Sequence, residues 1–203
     1  MTDLAAQPPS RNLQKRALKP VVFVLCLLPL AWLGFRAATN DLGFNPIETI
    51  VRDLGDWALR FLIIGLAVTP VRRFTGLNAV GRLRRMLGLF AFFYVTLHLV
   101  AFIGLDQQFD FAAVWREILK RKFITIGMLA FVILLPLAIT STDGMVRRLG
   151  GRAWRRLHRG VYLAGVLGVI HYFMMVKAGL QQPTIYAVIL AALLLARLMP
   201  AKA

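Results

Sequence analysis

Cysteine, histidine and acidic residues are all scarce in this 203-residue chain. The lone cysteine, Cys26, excludes an intramolecular disulfide and any CxxCH attachment site, and it reads as a small core residue. No GxGxxG or P-loop pattern is present, so no nucleotide site is visible. Acids within the apolar stretches are too few for a carboxylate relay, and no Ser/His/Asp arrangement points to hydrolysis. There is no internal repeat, no low-complexity tract and no long linker, and the polar stretches are too short to bury a core. These absences leave one domain without hydrolytic or nucleotide chemistry of its own.

What is abundant is apolar surface. Hydrophobic residues make up 59% of the chain, aromatic residues 11%, and the mean hydropathy is +0.68. Soluble domains sit near 45–50% apolar, so the composition is that of a membrane protein. The net charge of +16 raises nucleic acid as a partner, but its distribution argues against it. The arginines cluster in short loops between apolar runs, which is how a membrane protein fixes its orientation and meets anionic lipid.

Six apolar runs follow the polar start: Val21–Phe35, Trp57–Val71, Leu87–Leu105, Phe123–Thr140, Val161–Val176 and Thr184–Met199. A spanning helix needs about 17–25 residues. The third and fourth runs meet this directly. The others need flanking residues that snorkel, such as Arg60 and Arg197. The basic start resembles a signal peptide only superficially, and the first run reads as a retained helix.

Charge alternates from loop to loop. Arg72–Arg85 carries five arginines and no acid, and Ser141–Arg159 carries six against Asp143. Leu42–Asp56 has Arg52 against three acids, Asp106–Lys122 is mixed, and Lys177–Pro183 is nearly neutral. The positive-inside rule then predicts an all-α integral membrane bundle of six transmembrane helices with both termini cytoplasmic. Residues 1–19 form a cytoplasmic tail in this reading, and residues 20–200 the membrane domain.

The three histidines fall in or beside these runs. Histidine within a membrane segment is costly and marks a functional site by default, and neutral imidazole is the commonest metal ligand. His98 lies about 20 Å beyond Arg84–Arg85, and His171 about 20 Å beyond His158, which sits at the inner boundary beside Arg155–Arg156. His98 and His171 therefore share a depth near the outer face, on helices running the same way. That is what an iron bridged between two imidazoles in a haem requires. Gly160, Gly165 and Gly168 would let a flat macrocycle approach the backbone. His158 sits at the inner boundary and, about 220° round an ideal helix from His171, does not share its face.

Other readings stand beside this one. A membrane histidine also bridges helices by hydrogen bonding, and His158 beside Arg159 also reads as an interfacial histidine. The aromatic stripe Phe90, Phe92, Phe93, Tyr94 and Phe102 reads as core or lipid-facing before it reads as porphyrin lining. Arg84, Arg85, Arg155 and Arg156 at the inner mouth suit haem propionates or a flavin phosphate. A small transporter or structural subunit that uses its histidines for proton relay or helix bridging is the competing class.

Two stretches, RRMLGLFAFFYVTLHLVAF (Arg84–Phe102) and RRLHRGVYLAGVLGVIHYF (Arg155–Phe173), carry a resemblance that covers nearly the whole chain. They resemble the MsrQ (formerly YedZ) family within the ferric-reductase-like transmembrane group. These are the haem-binding membrane subunits of bacterial protein-methionine-sulfoxide reductase systems. The resemblance implies an inner-membrane electron conduit holding haem b, one or two per chain, and also FMN. Electrons would come from the quinone pool or a cytosolic flavin reductase. They would pass to MsrP, a periplasmic molybdopterin enzyme that reduces methionine sulfoxide. The family's haem histidines carry over to His98, His158 and His171, and a family arginine to Arg84. Related ferric reductases pair two histidines on each of two helices, whereas the position that would pair with His158 holds Arg84 or Arg85. A self-sufficient ferric or quinone reductase is disfavoured because no nucleotide-binding domain is attached.

Overall fold

A computed structural model describes residues 11–176 and 179–199, and among these the chain is helical with no strand. Residues 1–10 of the expected tail, residues 177 and 178 of the last loop, and residue 200 lie outside the described residues. In order come α1 (Arg11–Ala38), α2 (Pro46–Thr75), a 3-10 turn (Val80–Leu83) and α3 (Arg84–Ala101), which runs on into a π turn (Phe102–Asp106). Then follow α4 (Phe111–Lys120), α5 (Lys122–Ile139), α6 (Asp143–Leu149), α7 (Gly151–Leu157), α8 (Gly160–Met175) and α9 (Gln181–Leu198). Five stretches are long and apolar enough to cross a membrane: Leu18–Ala38, Pro46–Thr75, Val80–Asp106, Lys122–Ile139 and Gln181–Leu198. Of the six expected spans, α8 is the one missing from this set. It has 16 residues and rises about 24 Å.

Local chemistry sets the boundaries. Helix α2 begins eleven residues before its apolar run because Asn45 caps it, accepting from the Glu48 N–H at 3.3 Å, with Pro46 in the first turn. It ends at Gly76, whose φ of 70° lets its N–H reach the Arg72 carbonyl. Helix α1 starts at Arg11, within the stretch expected as tail, because RNLQKRALK is built of strong helix formers. The stretch Leu157–Met175 is not one helix. The chain turns at His158 and Arg159, so the angular argument separating His158 from His171 does not apply.

Two antiparallel pairs form the heart of the bundle. In the first, Gly55 of α2 faces His98 of α3, and Gly65 faces Leu87 and Gly88. In the second, Gly127 of α5 faces His171 of α8, and Gly160 faces Ile133 and Leu137. Phe92 and Phe131 stack at 5.7 Å to join α3 to α5, and Leu59 and Leu66 of α2 meet Gly168 and Gly165 of α8. Residues such as Val24, Trp32 and Val188 keep more than half of their surface outward, as lipid-facing positions do.

The two arginines expected to snorkel turn inward instead. Arg60 Nε donates to Tyr186 Oη at 2.8 Å, and Arg60 pairs with Asp56 at 3.5 Å. Arg197 donates to Tyr162 Oη at 2.9 Å and to the Leu66 carbonyl. That carbonyl lies four residues before Pro70, which has no N–H to give it. Inside a membrane such groups need internal partners, and both arginines find them, with Arg197 Nε left as a buried donor without one among the described residues.

Helix α1 is tied down by Tyr94 of α3, which is 0% exposed. The Leu30 N–H donates to Tyr94 Oη at 3.1 Å, and the hydroxyl donates to the Cys26 carbonyl at 2.9 Å. Tyr94→Phe should therefore lower stability by about 1 kcal/mol. Unfolding in detergent measures this, and an unchanged midpoint would mean that Leu30 and Cys26 close the ladder unaided.

Candidate functional site

Each half of the bundle builds the same device. His98 Nδ1 lies 2.8 Å from the Val51 carbonyl, and His171 Nδ1 lies 2.6 Å from the Phe123 carbonyl. A carbonyl only accepts, so both Nδ1 atoms carry the proton and both Nε2 atoms keep a free lone pair. The residue four after each carbonyl is glycine. A Cβ on Gly55 would stand 3.0 Å from His98 Nδ1, and one on Gly127 would stand 2.8 Å from His171 Nδ1. Only glycine lets the imidazole lie this close to the neighbouring helix.

The two rings meet across a cavity of about 780 Å³, with centroids 6.3 Å apart and planes at 84°. Its walls are partly apolar, with Leu59, Leu62, Phe131 and Leu134 beside the small Ala91 and Ala164, and charged residues Glu48, Arg52, Asp56, Asp106, Glu117 and Arg121 also line it. Metal–imidazole bonds of about 2 Å to each Nε2 place the two ring centroids about 6 Å apart. The observed 6.3 Å between centroids has room for one metal between the rings. Among the described residues no group of three or more His, Cys, Asp or Glu side chains is placed to hold a metal ion. Two imidazoles alone suit a metal that brings its own planar set of donors, and a haem does so. The residues fit that group.

The other predicted positions fall elsewhere. His158 lies near Thr140, at the opposite end of α5 from Phe123 and about 25 Å along that helix. Thr140 Oγ1 donates to the Pro136 carbonyl at 2.6 Å, so it accepts from His158 Nε2 at 3.1 Å. Trp154 stacks on the His158 ring at 3.9 Å and donates to the Thr140 carbonyl. Arg84, Arg85, Arg155 and Arg156 are exposed at this end, and Arg85 pairs with Asp143. Arg85 holds the Asp143 carboxyl below its ordinary range. None of these residues lines the cavity. Of the aromatic stripe only Phe102 does, and of the three named glycines only Gly168.

Some residues at the site gave no warning. Gly55 and Gly127 depend on a cross-helix register that no local pattern encodes. Asp56 and Tyr172 also line the cavity. Asp56 joins Arg60 and Tyr186, while Tyr172 donates to Gln182 at 2.7 Å. The visible signal was an acid four residues before an arginine at an apolar run, the spacing of a helical ion pair.

His158 makes the fold sensitive to acid. Burial first, then the Arg84 and Arg85 charges, holds its pKa below the usual imidazole range. The unfolded chain binds this proton more readily than the folded one. Stability is therefore full above about pH 6.5 and falls as the pH drops below it. Arg84→Gln should shrink that fall. Melting curves taken on the acid side of neutrality test this, and identical slopes for variant and parent would remove Arg84 as a cause.

Residues 54–169 match the family described as ferric reductase like transmembrane component, more than half of the chain. A protein of Rhodospirillum rubrum named protein-methionine-sulfoxide reductase heme-binding subunit MsrQ is 59% identical over 89% of this chain and 86% of its own. Proteins of the same name from Caulobacter vibrioides and Herminiimonas arsenicoxydans are 50% and 51% identical. They match over 92% and 91% of this chain and 89% and 85% of their own. Likeness at this level over nearly the full length, joined to an all-helical membrane fold, means that the chain belongs to the MsrQ family of ferric-reductase-like multi-pass membrane proteins.

Proposed function

We propose that this chain is the haem b electron-transfer subunit of a protein-methionine-sulfoxide reductase system, in which His98 and His171 would hold the haem. The observation that carries this reading is that both imidazoles line one cavity with ring centroids 6.3 Å apart, each with its Nδ1 given to a helix carbonyl and no partner on its Nε2 among the described residues. The relatives, named as heme-binding subunits, support it. When bound, the haem supplies a one-electron iron couple tuned by axial ligands and burial.

The chain's own residues position and insulate that couple. The Val51 and Phe123 carbonyls fix each tautomer and ring angle, as partners beyond the metal generally do. Leucines 59, 62 and 134 and Phe131 keep the pocket dry. His158 is given no haem, because its Nε2 proton is already donated to Thr140. The flavin that the resemblance implies is assigned no residues.

We read α8 as a sixth span, packed along the whole length of α5. With both arginine-rich loops at one end, the termini are cytoplasmic and the histidine cavity opens toward the periplasm. The protein then sits in the inner membrane and passes electrons outward. The donor is the quinone pool or a cytosolic flavin reductase. The acceptor is a periplasmic molybdopterin reductase, MsrP, where sulfoxide reduction and repair of oxidised proteins take place.

A reduced-minus-oxidised spectrum with pyridine-haemochrome quantitation tests this reading. The purified chain should show a b-type signal that His98→Ala and His171→Ala abolish and His158→Ala spares. A colourless protein after expression with ample haem would leave the transporter or helix-bridging class. Gly127→Ala and Gly55→Ala should each lower haem content several-fold without touching a ligand, with Gly127→Ala the worse because its Cβ comes closer. Full haem content in both would show that the rings tolerate a different seat.

A further inference from the structure

Beside the histidines the cavity is also lined by residues near the starts of α2 and α5, and two cations stand there. Among the described residues, Arg52 and Arg121 are the only arginine or lysine residues lining the cavity. Arg52 follows the carbonyl that holds His98, and Arg121 lies two residues before the carbonyl that holds His171. Each half of the bundle thus contributes one histidine and one arginine to the same space.

Resting on the haem reading above, we propose that Arg52 and Arg121 clamp the two propionates of the haem, one each. A haem edge carrying two carboxylates cannot face the leucine walls, because an unpaired charge there is costly. The inner-end arginines are no alternative, since none of them lines this cavity. Arg52 spends Nη2 on Glu48 at 2.6 Å, and Arg121 spends Nε on Glu117. Neither guanidinium makes another hydrogen bond among the described residues, so each keeps donors for a carboxylate. Glu48 has a second partner in Asn45 Nδ2 at 3.0 Å, which frees Arg52 further. Both arginine side chains are 55% exposed, so they are free to reorient toward an incoming anion. The clamp orients the haem with its propionate edge at the mouth, the edge nearest an electron acceptor in the aqueous phase.

The test compares haemin with haemin dimethyl ester, which has the same ring and iron but no carboxylate charge. Full-length chain produced without haem is titrated with each, following the Soret band. The parent should bind haemin about tenfold or more tighter than the diester. Arg52→Gln and Arg121→Gln should each reduce that preference, and the double variant should abolish it. Arg→Lys at both positions should restore part. Helicity and melting of the apo variants check folding, and the diester arm on the parent needs no variant. Equal binding of haemin and diester by the parent, or an undiminished preference in the double variant, would overturn the clamp while leaving the haem reading intact. Failure of the parent to take up either ring with a His98-dependent Soret shift would overturn both.

Discussion

The structure depends on one repeated interaction, an imidazole N–H given to a helix carbonyl across a gap that only glycine leaves open. The gap fixes the distance between α2 and α3, and between α5 and α8, at the depth of the histidines. The hydrogen bond fixes the tautomer and leaves Nε2 free. Two such pairs bring the imidazoles to one cavity with ring centroids 6.3 Å apart. Side chains organised in advance lose little freedom on binding a ligand.

The bilayer imposes a second constraint, that every polar group inside it be answered internally. Here the answers come from distant helices. Arg197 of α9 serves the carbonyl that Pro70 leaves unbonded in α2. Arg60 of α2 is answered by Tyr186 of α9, and lies over Trp57 at 4.7 Å. Tyr94 of α3 enters the ladder of α1. The charges that look out of place in a hydropathy profile are the pins between helices whose facing surfaces are otherwise apolar and interchangeable. Their cost in lipid is offset by the register they specify.

Much of this was legible in the residues. Apolar runs and arginine loops identify a helical membrane bundle, and counting residues from each arginine pair puts His98 and His171 at one depth. Within α3 depth is readable because helical rise is constant, while the count to His171 crosses the turn at His158 and Arg159. What lies between helices is not readable. Gly55 and Gly127 look like any glycine in a helix until the facing residue is known, whereas Gly160 and Gly165 look like cofactor contacts and instead pack against neighbouring side chains. The break at His158 was hidden because LHRGVYLAG keeps apolar residues at helical spacing through the turn. Arg60 and Arg197 read as snorkelling from position alone, since a sequence shows how far a cation lies from a helix end and not which way it faces.

The two ends of the bundle are unequal, and this bears on how electrons enter. The histidine cavity sits at the end where α2 and α5 begin, about 25 Å along α5 from the arginine-rich end. The only histidine at that far end is His158, and it is bonded to Thr140 and covered by Trp154. A soluble reductase at the arginine-rich face would need a carrier across that length, and the ring best placed to help hold one is engaged elsewhere. A donor dissolved in the bilayer needs no such relay, because it can approach the bundle at the depth of the cavity. If His98 and His171 hold a single haem as proposed, a donor dissolved in the bilayer would need no second carrier, whereas a soluble reductase would.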